Sequence, residues 1–359
     1  MQSIMKINQQ KYAIRSILFV GSLLLLISCA SSSNPSSWQI LYEAEGISFR
    51  GIDAVNESVC WVSGNQGTIL RTADGGLNWQ DVSVPGADTL DFRDIHAFNE
   101  NTAVAMSIGS GENSRLYRTS NGGATWDLVY QNSHENGFYD AIAFWDNNIG
   151  VLQGDPIDGK LFILLTDDGG RTWYEIDHQL MPDIADGEYA FAASGTQLIT
   201  APGGHAWIGT GGVKSRILHS DDYGHTWKSI SSPIIQGEAS TGIFSLVFGS
   251  PSLGIAVGGD YTKEEEGTDN VIISENGGET WDLLSEAELD YRSSIQFAEG
   301  VFLTVGPSGS DYSTDQGMTW TPISGPGFHT LSIGSDGLRS TWAAGSGGRI
   351  GKLILDPNP

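Results

Sequence analysis

Thr166-Asp167-Asp168-Gly169-Gly170-Arg171-Thr172-Trp173 decides the fold, because the chain carries this octet six times. The other copies run Thr72–Trp79, Thr119–Trp126, Ser220–Trp227, Ser274–Trp281 and Ser313–Trp320. Each has Ser or Thr first, Asp or Asn third, Gly fifth and Trp last. That is the chemistry of a tight turn between strands. The third side chain accepts backbone N–H groups across the turn, and glycine supplies a positive φ. Tyr223 and Gln316 stand at the fourth position in two copies, so only the fifth position is expected to require glycine. The closing Trp starts the next strand and offers a large apolar plate to a neighbouring sheet. Asp168 and its equivalents read as turn braces, since single carboxylates on separate repeats do not converge on one metal ion.

Successive octet tryptophans are 47, 47, 54, 54 and 39 residues apart, the length of one four-stranded blade. A second marker precedes each octet, an aromatic opening a short apolar strand: Phe49, Phe92, Phe138, Tyr189, Phe244, Tyr291 and Phe328. Seven markers against six octets leave the last repeat one strand short. Trp342–Leu353 matches the layout of Trp61–Thr72, and then the sequence runs out of repeat. Ser37-Trp38-Gln39-Ile40-Leu41 resembles the post-turn segment Asn78–Val82 and supplies the missing strand. The expected fold is all-β, a seven-bladed β-propeller over 38–359 whose last blade is closed by the N-terminal strand, leaving no open edge. The octets themselves resemble the Asp-box, or bacterial neuraminidase repeat, of β-propellers.

Composition narrows the partners. The net charge of −25 includes Lys6, Lys11 and Arg15, and residues 1–28 hold no acid, so the rest of the chain stands at −28. Such a surface repels phosphate backbones, and no nucleic-acid partner is expected. Residues 1–28 read as a signal peptide, with a cationic start and an apolar run from Ile17 to Ile27. Leu26-Ile27-Ser28-Cys29 resembles a bacterial lipobox, which makes Cys29 the lipidated residue and 29–37 a Ser-rich flexible tether. Ala30 after the cysteine fits sorting to the outer membrane. The expected location is the cell envelope, on the periplasmic side of the outer membrane or the cell surface, as a monomer. Cys60 is then left alone in an apolar run and reads as core.

The topology puts all octet turns on one face and the strand-opening ends on the other. The second face also carries the polar stretches Gly154–Lys160, His178–Glu188 and Asp260–Asn270. The residue after each opening aromatic should ring the channel there: Arg50, Arg93, Tyr139, Ala190, Ser245, Arg292 and His329. Arg292, His329, Arg50 and Arg93 fall on consecutive blades and form one arc. Such an arc can bind a carboxylate or phosphate through bidentate hydrogen bonds. The same arginines can equally brace the blades against acids such as Asp94, Asp140, Asp260 or Asp311. Asp155, Asp158, Lys160 and Asp260 share the face as secondary candidates. No Gly-x-Gly-x-x-Gly follows a strand and opens a helix, and no His-Glu-x-x-His or paired Cys is present, so neither cofactor nor metal is expected.

Two family resemblances bear on function. Asp-boxes with Phe49-Arg50 are similar to sialidases, in which three arginines grip a substrate carboxylate. Phe49-Arg50-Gly51-Ile52 departs from that family's Phe-Arg-Ile-Pro motif, and a sialidase-like glycoside hydrolase is the alternative reading. WVSGNQGTILRTADGGLNW, TSNGGATW and WAAGSGGRIGKL resemble the photosystem II assembly and stability factor family over roughly residues 38–355. That resemblance implies a propeller with an arginine-rich mouth that binds a protein or peptide, such as a membrane-protein precursor, without catalysing a reaction.

Overall fold

The computed structural model describes residues 34–284 and 286–356. These form seven antiparallel sheets arranged as the blades of a β-propeller. Blade 1 runs Phe49–Ala54, Cys60–Gly64, Ile69–Thr72 and Gln80–Asp81, innermost strand first. The inner strands of the following blades are Asp91–Ala97, Tyr139–Phe144, Leu198–Ala201, Thr241–Phe248, Ser294–Ala298 and Thr330–Ile333. Blade 7 takes its outer strand from Pro35–Tyr42, which pairs with Ile350–Leu355 in the register Trp38 to Leu353 and Ile40 to Gly351. The closing strand begins at Pro35, so residues 35–37 of the expected tether are strand. Cys29 and the whole of 1–28 lie outside the described residues.

Buried hydrophobic residues explain why the blades hold together. Among the described residues they fall into seven clusters, each shared by two adjacent blades, and an eighth on the channel axis. The octet tryptophans serve these seams. Trp126 of blade 2 meets Trp61 of blade 1 edge-on at 6.1 Å, and Trp79 of blade 1 meets Trp342 of blade 7 at 5.9 Å. Trp38 occupies the same place in the closing strand, 5.0 Å from Phe328 within the cluster joining blades 6 and 7. Cys60 is fully buried in the blade 7–1 seam, as expected of a core residue.

The octet turns are built alike in all six copies. The third residue accepts the seventh residue's N–H, at 2.9 Å for Asp168 and Thr172. The first hydroxyl accepts the fifth residue's N–H, at 3.0 Å for Thr166 and Gly170. Only the fifth position is glycine in every copy, as expected, although the fourth position is left-handed too. Tyr223 and Gln316 adopt φ of 60° and 64° there. What singles out the fifth position is packing: a Cβ on Gly317 would sit 2.5 Å from Ile255 Cδ1 of the preceding blade. The fourth position varies from copy to copy: a Cβ on Gly75 meets nothing closer than 3.7 Å, whereas one on Gly169 would sit 2.6 Å from the Asn147 carbonyl oxygen.

Blade 4 departs from the sequence pattern. Its inner strand is Leu198–Ala201, well beyond the Tyr189 marker. Glu188–Tyr189 instead pairs with Gly211–Gly212, which joins the blade 5 sheet through Gly242. The chain from Ala190 to Thr196 then crosses the central channel and touches five blades. Arg93 Nη1 donates to the Ala192 carbonyl at 3.0 Å and Arg50 Nη1 to that of Ala193 at 3.4 Å. Thr330 Oγ1 donates to the Ser194 carbonyl at 3.1 Å, and Ser194 Oγ to that of Ser293 at 2.7 Å. Thr196 Oγ1 lies 2.7 Å from Ser245 Oγ. Gly195 fits because φ is +75° and because a Cβ there would sit 2.4 Å from Asp94 Oδ1. The segment is a plug, and it gives the channel mouth a floor.

Candidate functional site

Three inner strands shift register one residue after an opening aromatic. The shifts fall between Phe49 and Gly51, Phe92 and Asp94, and Tyr139 and Ala141; a fourth lies between Ile243 and Ser245. Each is a β-bulge, which turns one side chain out of the pleat. The four bulged residues are Arg50, Arg93, Asp140 and Phe244, and all four line one cavity of about 380 Å³ at the mouth. Two positions expected from sequence are therefore off by one. Blade 3 presents Asp140 rather than Tyr139, whose ring is buried, and blade 5 presents Phe244 rather than Ser245. The usable signal was a small residue in each second strand opposite the bulge, since Phe49, Phe92, Tyr139 and Ile243 pair with Gly64, Ser107, Gly154 and Gly258.

The arc of four basic residues is only partly realised. Arg50, Arg93 and His329 line the cavity, as does Ala190 of the plug. Arg292 does not: its Nε and Nη2 both donate to Asp311 Oδ2, at 2.8 and 2.6 Å, and its Nη1 to the Tyr291 carbonyl. It is a blade brace. A sialidase-type grip needs three arginines on one carboxylate, and the cavity offers two.

Arg93 Nε donates to Asp91 at 2.9 Å, within blade 2. Arg50 forms no ion pair among the described residues and holds only the long bond to Ala193. Burial and the neighbouring Arg93 lower its pKa, but an arginine so shifted remains a cation. A guanidinium has five N–H donors, so most of Arg50's are free for a ligand. Burial, with help from Arg50 and Arg93, drives His329 down to about 3, leaving it neutral. Its Nε2 lies 2.7 Å from Ser346 Oγ, and its Nδ1 has no partner.

The secondary candidates scatter. Asp155 lines the cavity, with Oδ1 buried and unpartnered. Asp158 does not, because Gly154–Lys160 is a hairpin end rather than an irregular loop. Strands Gly150–Ile157 and Lys160–Thr166 meet in a two-residue turn with φ of 49° at Asp158 and 72° at Gly159. Lys160 is engaged by Asp183 at 2.7 Å. Asp260 accepts from Thr262 N and Oγ1 at 2.9 and 2.7 Å and so braces its own loop. Sequence reading missed the apolar wall. Phe191 of the plug stacks on Phe244 at 3.9 Å, with Tyr291 edge-on to Phe244 at 4.8 Å.

Known proteins can be set beside this geometry. The BNR/Asp-box repeat model matches residues 311–322. The chain is 22% identical over 239 residues to the photosystem II assembly lipoprotein Ycf48 of Synechococcus sp. (strain CC9902), covering 62% of this chain and 57% of that one. It is 25% identical over 250 residues to the photosystem II assembly protein Ycf48 of Synechococcus sp. (strain JA-2-3B'a(2-13)), covering 62% and 70%. The match thus spans little more than half the length of the first relative. Among solved structures, YCF48 bound to D1 peptide superposes with a TM-score of 0.62 at 16% identity, covering 92% of this chain and 100% of that one. YCF48 from Cyanidioschyzon merolae gives 0.63 at 13% identity, covering 89% and 99%. The chain is a seven-bladed β-propeller with Asp-box repeats, similar to the photosystem II assembly factor propellers.

Proposed function

We propose that this protein is a lipid-anchored envelope propeller that binds a peptide segment of a protein partner at the channel mouth and assists its assembly. The anchor is Cys29, and the location is the periplasmic side of the outer membrane or the cell surface. One observation carries the binding reading: Arg50 is a half-buried guanidinium with no ion pair among the described residues, beside Arg93, in a floored cavity. Buried charges are normally paired, so an unpaired one marks a place for a ligand's opposite charge. A peptide carboxylate would take bidentate bonds from Arg50 and Arg93, with Phe191 and Phe244 packing on its last side chain. The likeness to propellers named as photosystem II assembly proteins, one of them solved with a peptide, supports a peptide as the ligand class.

The test compares synthetic decapeptides with a free or amidated C-terminus by fluorescence anisotropy. Free-acid peptides should bind, and amidation, Arg50→Ala or Arg93→Ala should each weaken binding by roughly 1.5–3 kcal/mol. Added salt should weaken it further. Equal binding of acid and amide, unmoved by either substitution, overturns the reading.

A further inference from the structure

The mouth has a second pole. Asp140, the bulged residue of blade 3, is 1% exposed and lines the same cavity as Arg50 and Arg93. Gln153 Nε2 donates to its Oδ2 at 2.9 Å, and no cation among the described residues pairs with it. Asp155, two residues beyond Gln153, brings a second carboxyl to the cavity, and its Oδ1 is buried without a partner. No ion pair is formed by either acid among the described residues. Burial raises Asp140 well above the usual carboxylate range, with the Asp155 charge adding to it, and raises Asp155 to about 6. The two carboxyls therefore hold a proton in place of a counter-ion.

A third polar group stands in the same cavity. His329 is 7% exposed, is neutral, and keeps Nδ1 unused. With Nε2–H donating to Ser346, Nδ1 is an acceptor, able to take a peptide N–H. The cavity thus presents arginine donors, one ring-nitrogen acceptor, an aromatic wall and three acids, Asp140 and Asp155 side by side and Glu264 near Arg50.

Resting on the peptide-carboxylate reading above, we propose that the mouth is a dipolar receptor for a chain end whose last residue is basic. Its α-carboxylate meets Arg50 and Arg93, its stem lies along Phe191 and Phe244, and its cation meets Asp140 and Asp155. The acid pair decides which chain ends are accepted. A neutral or acidic last residue would leave the buried carboxyls without a partner or set like charge against them, and selectivity arises from that mismatch.

The probes are N-acetylated pentapeptides identical except for a last residue of lysine, norleucine or glutamate, each with a free carboxyl. The lysine peptide should bind roughly ten- to hundredfold tighter than the norleucine peptide, and glutamate weakest. Asp155→Asn and Asp140→Asn should each shrink the ratio of lysine to norleucine affinity towards one, because the carboxyl that distinguishes the two peptides is gone. Calorimetry at pH 6 in buffers of different ionisation enthalpy gives an independent readout on the unaltered protein. The lysine peptide should expel a proton from the acid pair, and norleucine should not. Carboxylate-dependent binding without a lysine preference overturns this inference and leaves the binding reading standing. Binding that ignores the carboxylate, or none to any peptide, overturns both.

Discussion

Arg292 gives two of its N–H groups to a single oxygen of Asp311, at 2.8 and 2.6 Å, with both side chains under 10% exposed. That pair separates Arg292 from Arg50 and Arg93, although all three follow the same aromatic marker. Removing one partner of a buried pair strands the other, at a cost of about 3–5 kcal/mol. Arg292→Ala should therefore lower stability by that amount in urea denaturation and leave peptide binding intact in the folded fraction. Arg50→Ala should do the reverse, with little loss of stability. A variant at Arg292 that unfolds like the parent would show that Asp311 is satisfied another way.

The octet turns separate backbone strain from packing. Gln316 holds φ of 64° at a position where a Cβ is unwelcome for conformational reasons alone. Gln316→Gly should raise stability by about 1 kcal/mol. Gly317→Ala, one residue on, should cost more than that gain, because its Cβ would close on Ile255 to 2.5 Å and φ is +83°. Melting temperatures of the two variants check the contrast, and equal shifts of the same sign would contradict it.

How far the sequence carried is visible in individual residues. The repeats, the blade number and the strand swap at Trp38 were legible because octet and aromatic marker recur with local chemistry of their own. Arg292 looked like Arg50 because a sequence repeat records position, whereas pairing with Asp311 depends on a neighbouring strand's register. Asp140 was hidden by two adjacent aromatics, Phe138 and Tyr139, either of which satisfies the marker. The plug was hidden for a different reason. Tyr189-Ala190-Phe191-Ala192 has the apolar character of a strand opener, and its carbonyls find arginines only once the ring has closed. Local propensity does not encode that long-range partner.

The acid pair at the mouth sets a pH dependence. Asp155 is raised to about 6 in the folded chain, from an ordinary value near 4. Between those values the folded state keeps a proton that the unfolded state releases, so stability falls as pH rises. The contribution is fully present below the unfolded value and gone above the folded one. Asp155→Asn should flatten this part of the profile, so that the loss of melting temperature between pH 4 and pH 7 is smaller than in the parent. An unchanged slope would mean that another group carries the proton.

Closure rests on Trp38 and its strand. Residues 35–42 cover the edge of Ile350–Leu355, and Trp38 fills a seam between blades 6 and 7 with Phe328, Val301 and Leu303. Its Nε1 also donates to Ser310 Oγ of blade 6 at 3.1 Å, so one side chain ties the N-terminal strand to the neighbouring blade. Trp38→Ala should cost about 3–5 kcal/mol, the range for emptying a buried aromatic site. A chain starting at Gly46 loses the whole strand and exposes an unpaired edge, which invites pairing between molecules. It should elute as oligomers in size-exclusion chromatography and unfold with a broadened transition. A synthetic peptide spanning 34–43 should restore the monomer by refilling the edge. Should the shortened chain remain monomeric with an unchanged midpoint and slope, the ring is held by its inter-blade seams alone, and the N-terminal strand is dispensable for closure.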